Sequence, residues 1–427
     1  MNCISTWRTR ALLVCVTLCG ACGTQVADSE EPADPLAYQL RIVAEPRPLN
    51  GVVDVTLRLD QQRPLLRELR LRHDVRISGL RGDGEFVRDA THTRWLPPAD
   101  GGMLRWTVAV PHRRNGDGYD AWLGAEFGLF RAEDIIPRAS SRTLKGARSE
   151  TSLRFRMPAG WSVVTQYQDT GTIRVDNPER RLDLPSGWIV MGRLGVRREQ
   201  IAGMRVAVAG PVNHSIRRLD TLALLNWTLP ELARIVPELP PRLTIVSAGE
   251  PMWRGGLSAP QSLFLHAERP LISENATSTL LHEIMHMTLG LDSTDDHDWI
   301  IEGLAEYYSL QLLSRSGTIS PSRYAEAGRD LAEWAGDATR LCGGNSTGPT
   351  TALAVGVLAR LDAEIRRETA GEATLDDVLR DLVNRGELLD LRLLNESATA
   401  IIGHKPDALH SEKLPGCRSI TTSTETQ

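Results

Sequence analysis

Lysine is almost missing from this chain of 427 residues: among 49 basic residues only Lys145, Lys405 and Lys413 are lysines, and the rest are arginines. The arginines are scattered among 54 acids, and the formal net charge is −5. A polyanionic partner needs a basic face, so no nucleic-acid partner is expected; the arginine excess reads as the mark of a GC-rich genome. Beyond residue 22 no apolar run is long enough to cross a bilayer. Cysteine is as scarce there: only Cys342 and Cys417 remain. Internal repeats and low-complexity segments are absent too. What is present is ordinary for a globular chain, 41% hydrophobic and 24% charged. The length exceeds what one core usually organises, so two domains are expected.

Residues 1–22 read as a targeting segment. Arg8 and Arg10 precede a short apolar run, Ala11 to Leu18, which ends in Cys19-Gly20-Ala21-Cys22. Small residues before a cysteine resemble a bacterial lipobox, with Cys22 as the acylated residue; Cys19 stands where leucine is usual, so ordinary signal-peptide cleavage is the alternative. Either route exports the protein. Acylation would place it at the cell envelope, periplasmic or outer membrane, anchored to a membrane without crossing it. Residues 23–35 then form a polar tether. In an oxidising compartment Cys342 and Cys417 can pair and tie the C-terminal tail down, with two free thiols as the alternative.

From 36 to 203 the pattern alternates with period two, as in YQLRIVAE, VVDVTLRLD, MLRWTVAVP, SLRFRMP and GWIVMGRLGVRRE, broken by Pro, Gly and Asn-Gly. That predicts a β-sandwich-like N-terminal domain. The texture changes at 204. MRVAVAG, RLTIVSAG and SLFLHAE are strand-like, Arg217 to Val236 is helical with Pro230 as a break, and Gly255-Gly256 mark a turn. Helices are expected at 276–290, 298–315, 320–336, 351–368, 374–385 and 387–394. The expected fold class is α+β: an all-β domain, a catalytic domain of small mixed sheet plus helical bundle over 204–395, and a tail over 396–427.

Chemistry concentrates in Leu281-His282-Glu283-Ile284-Met285-His286. Residues i and i+4 share a helix face, so His282 and His286 can reach one tetrahedral ion. Glu283 beside them is placed to take a proton from metal-bound water, while Ile284 and Met285 face the core. Downstream, Glu302 lies in Trp299-Ile300-Ile301-Glu302-Gly303-Leu304-Ala305-Glu306-Tyr307-Tyr308. Two antiparallel helices joined by the polar turn 292–298, with Asp298 as N-cap, would bring it opposite the histidines. Two histidines and one glutamate with an open position are the donor set of a catalytic zinc, one ion per chain. Glu306, one turn on, can accept from a ligand histidine's other nitrogen.

These residues resemble the gluzincin zinc metallopeptidases, especially the aminopeptidase N and glycyl aminopeptidase families. Those families pair H-E-x-x-H with a helix reading Glu-Gly-hydrophobic-Ala/Thr-x-Tyr, behind a β domain. The likeness covers roughly 190–390, including TALAVGVLARLDAEIRRETAGEATLDDVLRDL. It implies a thermolysin-like catalytic domain, zinc held by His282, His286 and Glu302, and a peptide or protein substrate. Three departures stand out. The spacer 287–301 is shorter than in aminopeptidase N. The element that binds a free amine corresponds to Gly256-Leu257-Ser258, a candidate substrate-binding stretch without an acid, which argues against an obligate aminopeptidase. The tyrosine that steadies the oxyanion falls near Thr350-Thr351; Tyr307, Tyr308, Tyr324 or His266 are candidate substitutes.

Competing readings are weaker. Asp292 stands where metzincins place a third ligand, but Gly290 is one residue late for their turn. His297 reads as a loop residue, His404 and His410 as tail residues, and His266 as a strand residue whose strand could be an edge. A structural zinc site would close four ligands. A catalytically weak envelope protein that binds without cleaving keeps the fold and the metal.

Overall fold

The computed structural model describes residues 34–114, 116, 118–177 and 182–417. The targeting segment and Cys22 lie outside them. No helix among the described residues is long and apolar enough to cross a membrane.

Alternation builds the first half as expected. Strand Ala37–Arg47 buries every second residue, and so does its antiparallel partner Val52–Asp60. They lie inside a six-stranded sheet that includes Gly101–Ala109 and Arg148–Phe155. A four-stranded sheet holds Leu66–Arg72 and Ala139–Thr143. A five-stranded sheet holds Phe127–Arg131 and Trp188–Gly192. One apolar core, with Trp95, Tyr38 and Phe130 fully buried, joins these sheets.

Trp188–Gly192 breaks the alternation, because all five of its residues are buried. Ile189 and Met191 enter the β core, while Trp188 and Val190 pack on Val246, Ala248 and Phe264 of the following sheet. A strand covered on both faces reads as a continuous apolar run.

One expectation fails here. The stretch GWIVMGRLGVRRE supplies two strands, Trp188–Gly192 and Leu194–Ile201, in different sheets. The boundary at 203 cuts a hairpin: Leu194–Ile201 and Met204–Pro211 pair around Ala202-Gly203, whose φ values of 50° and 85° suit a two-residue turn. The change of texture marked a turn, and the second sheet begins at Leu194.

That sheet runs Leu194–Ile201, Met204–Pro211, Arg242–Ala248, Ser262–His266, Gly256–Ala259. Its three central strands are parallel, and Arg242–Ala248 is buried throughout. Helix Arg218–Ile235 covers it and continues through Pro230 instead of breaking. Thr228 Oγ1 and Asn226 Nδ2 bond back to the carbonyls of Leu224 and Leu222, and buried Leu229, Leu232 and Ile235 hold the second half, so tertiary packing overrides the proline.

The helical bundle follows the expected order with sharper ends. Helices span Thr279–Leu289, Asp298–Arg315, Pro321–Ala335, Pro349–Glu368, Leu375–Arg385 and Leu391–Ile402. Hydroxyl and carboxylate caps set the starts at Ser278, Ser320, Thr374 and Asp390. The helix expected at 387–394 therefore starts after Asp390 and crosses the boundary placed at 395. The tail is folded as far as 417. Glu364 accepts the N–H groups of Asp407 and Ala408 at 2.6 and 2.8 Å, and Cys342 and Cys417 form a disulfide.

Candidate metal centre and cleft

The motif helix Thr279–Leu289 is amphipathic by spacing. Leu280, Leu281, Ile284, Met285 and Leu289 are buried, leaving His282, Glu283 and His286 half-buried on the other face. Ser278 Oγ accepts from Leu281 N at 3.3 Å and starts the helix later than expected; Gly290, with φ 57°, ends it.

The glutamate helix Asp298–Arg315 crosses it. Asp298 is its first residue and not its N-cap: His297 holds that position without a capping bond, and the Asp298 carboxylate accepts from Ser346 N at 2.6 Å. Trp299, Ile300 and Leu304 are buried, which turns Glu302 and Glu306 toward the motif helix. At its far end Arg315 grips Asp376 with two bonds of 2.7 and 3.0 Å, and Tyr308 donates to the same carboxylate at 3.1 Å. Gly303 permits close approach of helix Pro349–Glu368, since an added Cβ would lie 2.7 Å from Ala354 Cβ.

The crossing brings the expected residues together. His282 Nε2 lies 3.4 Å from Glu302 Oε2, His286 Nε2 lies 3.3 Å from Glu302 Oε1, and the two Nε2 atoms are 2.9 Å apart. Glu306 Oε2 lies 3.0 Å from His282 Nδ1. The order of pairing, His282 with Glu306 and His286 with Glu302, is that of antiparallel helices. Two imidazole lone pairs at 2.9 Å repel unless a proton or cation sits between them. Burial works against charge on His282, but hydrogen bonds from its ring to Glu302 and Glu306 outweigh it and hold the imidazole up at about 10. Burial likewise opposes ionisation of Glu302, and the two histidines overcome it and hold the carboxyl at about 2. The site favours a positive charge at its centre. Among the described residues this is the one group of three that can hold a metal ion, and its donors fit zinc with an open position. Asp292 is outside it. It lines a cleft of about 650 Å³ beside His286 and Glu302, so the metzincin arrangement is not formed.

The opposite wall is strand Gly256–Ala259. It is the edge of its sheet, whereas the strand of His266 is paired on both sides; the expectation that SLFLHAE could be the edge is corrected by the chain doubling back through Pro260-Gln261. Gly256 abuts the motif helix, where an added Cβ would lie 2.7 Å from Thr279 Cγ2 and 2.8 Å from Glu283 Cγ. Ser258 lines the cleft. Trp188 Nε1 donates to Leu257 O at 2.9 Å, and Ser262 Oγ accepts from Trp188 N at 2.9 Å. The β module therefore holds the edge strand in place, a role missed in the sequence; its signal was the unbroken apolar run around Trp188.

None of the four candidate oxyanion donors lines this cleft. Tyr308 is committed to Asp376. Tyr324 accepts from Gln311 at 2.7 Å, and with Tyr307 it lines a separate apolar cavity among the helices. His266 is buried and receives Glu268 N at 3.3 Å, and burial pushes it below its ordinary value.

No family model matches this sequence, and no curated protein matches it. The fold is shared with solved structures. An aminopeptidase N family protein from Idiomarina loihiensis matches with a TM-score of 0.64 at 17% identity, over 82% of this chain and 71% of that one. An M1 zinc metallopeptidase variant from Deinococcus radiodurans, bound to a Tyr-Ser-Ala substrate, gives 0.56 at 16%, over 87% and 91%. Yeast LTA4 hydrolase in complex with bestatin gives 0.55 at 16%, over 90% and 68%. The chain thus has the fold of the M1 zinc metallopeptidases, N-terminal β domain included.

Proposed function

We propose that this protein is a zinc-dependent peptidase, a divergent gluzincin held at the bacterial cell envelope. One observation carries the reading: His282, His286 and Glu302 converge on one point, with Glu283 on the same helix beside the edge strand. When bound there, zinc supplies Lewis-acid chemistry, acidifying a water and polarising a carbonyl. Glu306 holds His282 by Nδ1, so that Nε2 would be the nitrogen left to hold an ion. Glu283, which no side chain among the described residues hydrogen-bonds, accepts the proton and passes it to the leaving amine. The edge strand turns alternate N–H and C=O groups away from its partner, and an extended peptide can pair with them. The Tyr-Ser-Ala held by the Deinococcus neighbour supports a peptide substrate. With Ser258 where an amine-binding acid would stand, N-blocked peptides are expected to be accepted.

Glu283→Gln is expected to keep about one zinc per chain and to lose hydrolysis by about a hundredfold or more. Equal inertness of wild type and variant across a broad peptide library would overturn this reading. In that event the second reading takes over, a metal-holding binding module, which Tyr308 favours by being committed to Asp376 and not to the cleft. For the envelope anchor, which rests on residues 1–22, labelled fatty acid is expected on the wild type and not on Cys22→Ser; equal labelling would remove the lipid.

A further inference from the structure

On the edge strand, next to the cleft, lies a second cavity of about 580 Å³ against the β module. Ser258, Ala259 and Pro260 line both spaces, so a chain lying along the strand passes from one to the other. The second cavity is walled by charge, most of it already matched. Arg76 donates to Asp74 at 2.7 Å and to Asp134 at 3.2 Å. Arg131 gives its backbone N–H to Asp134 at 2.8 Å and lays its guanidinium over Trp188. The remaining acid, Glu133, is one whose ionised form burial disfavours, despite a bond from Gly187 N.

Arg72 and Arg138 are left over. Both are exposed and line the cavity, and neither has a carboxylate partner among the described residues. Arg72 N donates to Arg138 O at 2.9 Å, which sets Arg138, the residue just before strand Ala139–Thr143, opposite Arg72 at the end of its strand. His92 flanks Arg72 on the other side, so no acid interrupts the row. Like charges opposite each other across a ladder are destabilising. Two guanidiniums without a carboxylate partner among the described residues thus stand at a cavity that shares Ser258, Ala259 and Pro260 with the metal cleft.

We propose that this cavity is a substrate subsite for a carboxylate, bound by Arg72 and Arg138. The inference rests on the peptidase reading and adds a specificity to it. Gly256 abuts Glu283, and Ser258 to Pro260 line the cavity, a separation of about 7 to 13 Å at about 3.3 Å per residue of extended chain. The carboxylate thus belongs roughly two to four residues from the cleaved bond, on one side of it. It is a Glu or Asp side chain or the free end of the peptide.

The test walks one Glu, with Gln as control, along N-blocked fluorogenic peptides prepared as C-terminal acids and amides. A side-chain subsite shows as a preference of about tenfold in kcat/KM for Glu at one such position, and a terminal subsite as the same preference for acid over amide. Either preference should vanish in Arg72→Gln/Arg138→Gln while hydrolysis of the neutral amide is unchanged. A preference that survives in the double variant, or none in the wild type, overturns the subsite. The same peptides are titrated by anisotropy onto zinc-loaded Glu283→Gln. Arginine-dependent binding without any wild-type turnover would keep the subsite and overturn the peptidase reading; turnover without arginine dependence would do the reverse.

Discussion

One wall of the cleft comes from a single stretch of chain, His282 to Glu306, on two helices crossing at close range. The other wall is assembled from distant pieces: the edge strand Gly256–Ala259, Trp188 beneath it, and the arginine-lined cavity of the β module beyond. The first is tight and electrostatically closed on itself, with four charged or chargeable groups matched to one another. The second is open, with alternate backbone groups and two guanidiniums unmatched. A site that must hold one ion permanently can be built from local spacing. A site that must accept a passing chain has to leave partners unfilled, and only long-range packing can hold such a surface steady.

That contrast can be broken in order of effect. Glu302→Ala should abolish stoichiometric zinc, measured by elemental analysis after dialysis, while Asp292→Ala keeps it; the opposite result would remove the helix pair as the metal wall. Glu306→Gln should weaken zinc about 10- to 100-fold in a chelator competition, as loss of a carboxylate behind a metal histidine does elsewhere. Unchanged affinity would mean that His282 is oriented by packing alone. Trp188→Phe, which deletes the bond to Leu257 O and thins the packing under Arg131 and against Phe264, should cost about 1–3 kcal/mol of stability. It should raise KM with zinc content intact, and a loss of zinc would show that the two walls are not separable.

Legibility in the sequence followed the same division. The helix pair was readable because i, i+4 spacing and a polar turn act over a few residues; of the apolar neighbours Trp299, Ile301 and Leu304 that suggest a buried flank, Trp299 and Leu304 are buried, while Ile301 lines the cleft beside Glu302 and Ile300 takes the core position. Helix starts slipped where a cap lay inside the periodic stretch, as at Ser278 and Asp390. The boundary at 203 was misread because a hairpin turn and a domain linker share the same residues. Continuity through Pro230 was invisible because buried leucines on the far side of the proline supply the holding energy.

By itself the sequence determined which residues can meet a metal, since helical geometry brings His282 and His286 to one face whatever surrounds them. It also determined the alternation that makes the first half β. Only the tertiary structure decided which strand forms the free edge, that Tyr307, Tyr308 and Tyr324 point into other business, and that Arg72 and Arg138 stand beside the cleft. Those facts depend on how sheets dock face to face. Docking is decided by the summed burial of many side chains from segments far apart in the chain, a quantity no local pattern carries.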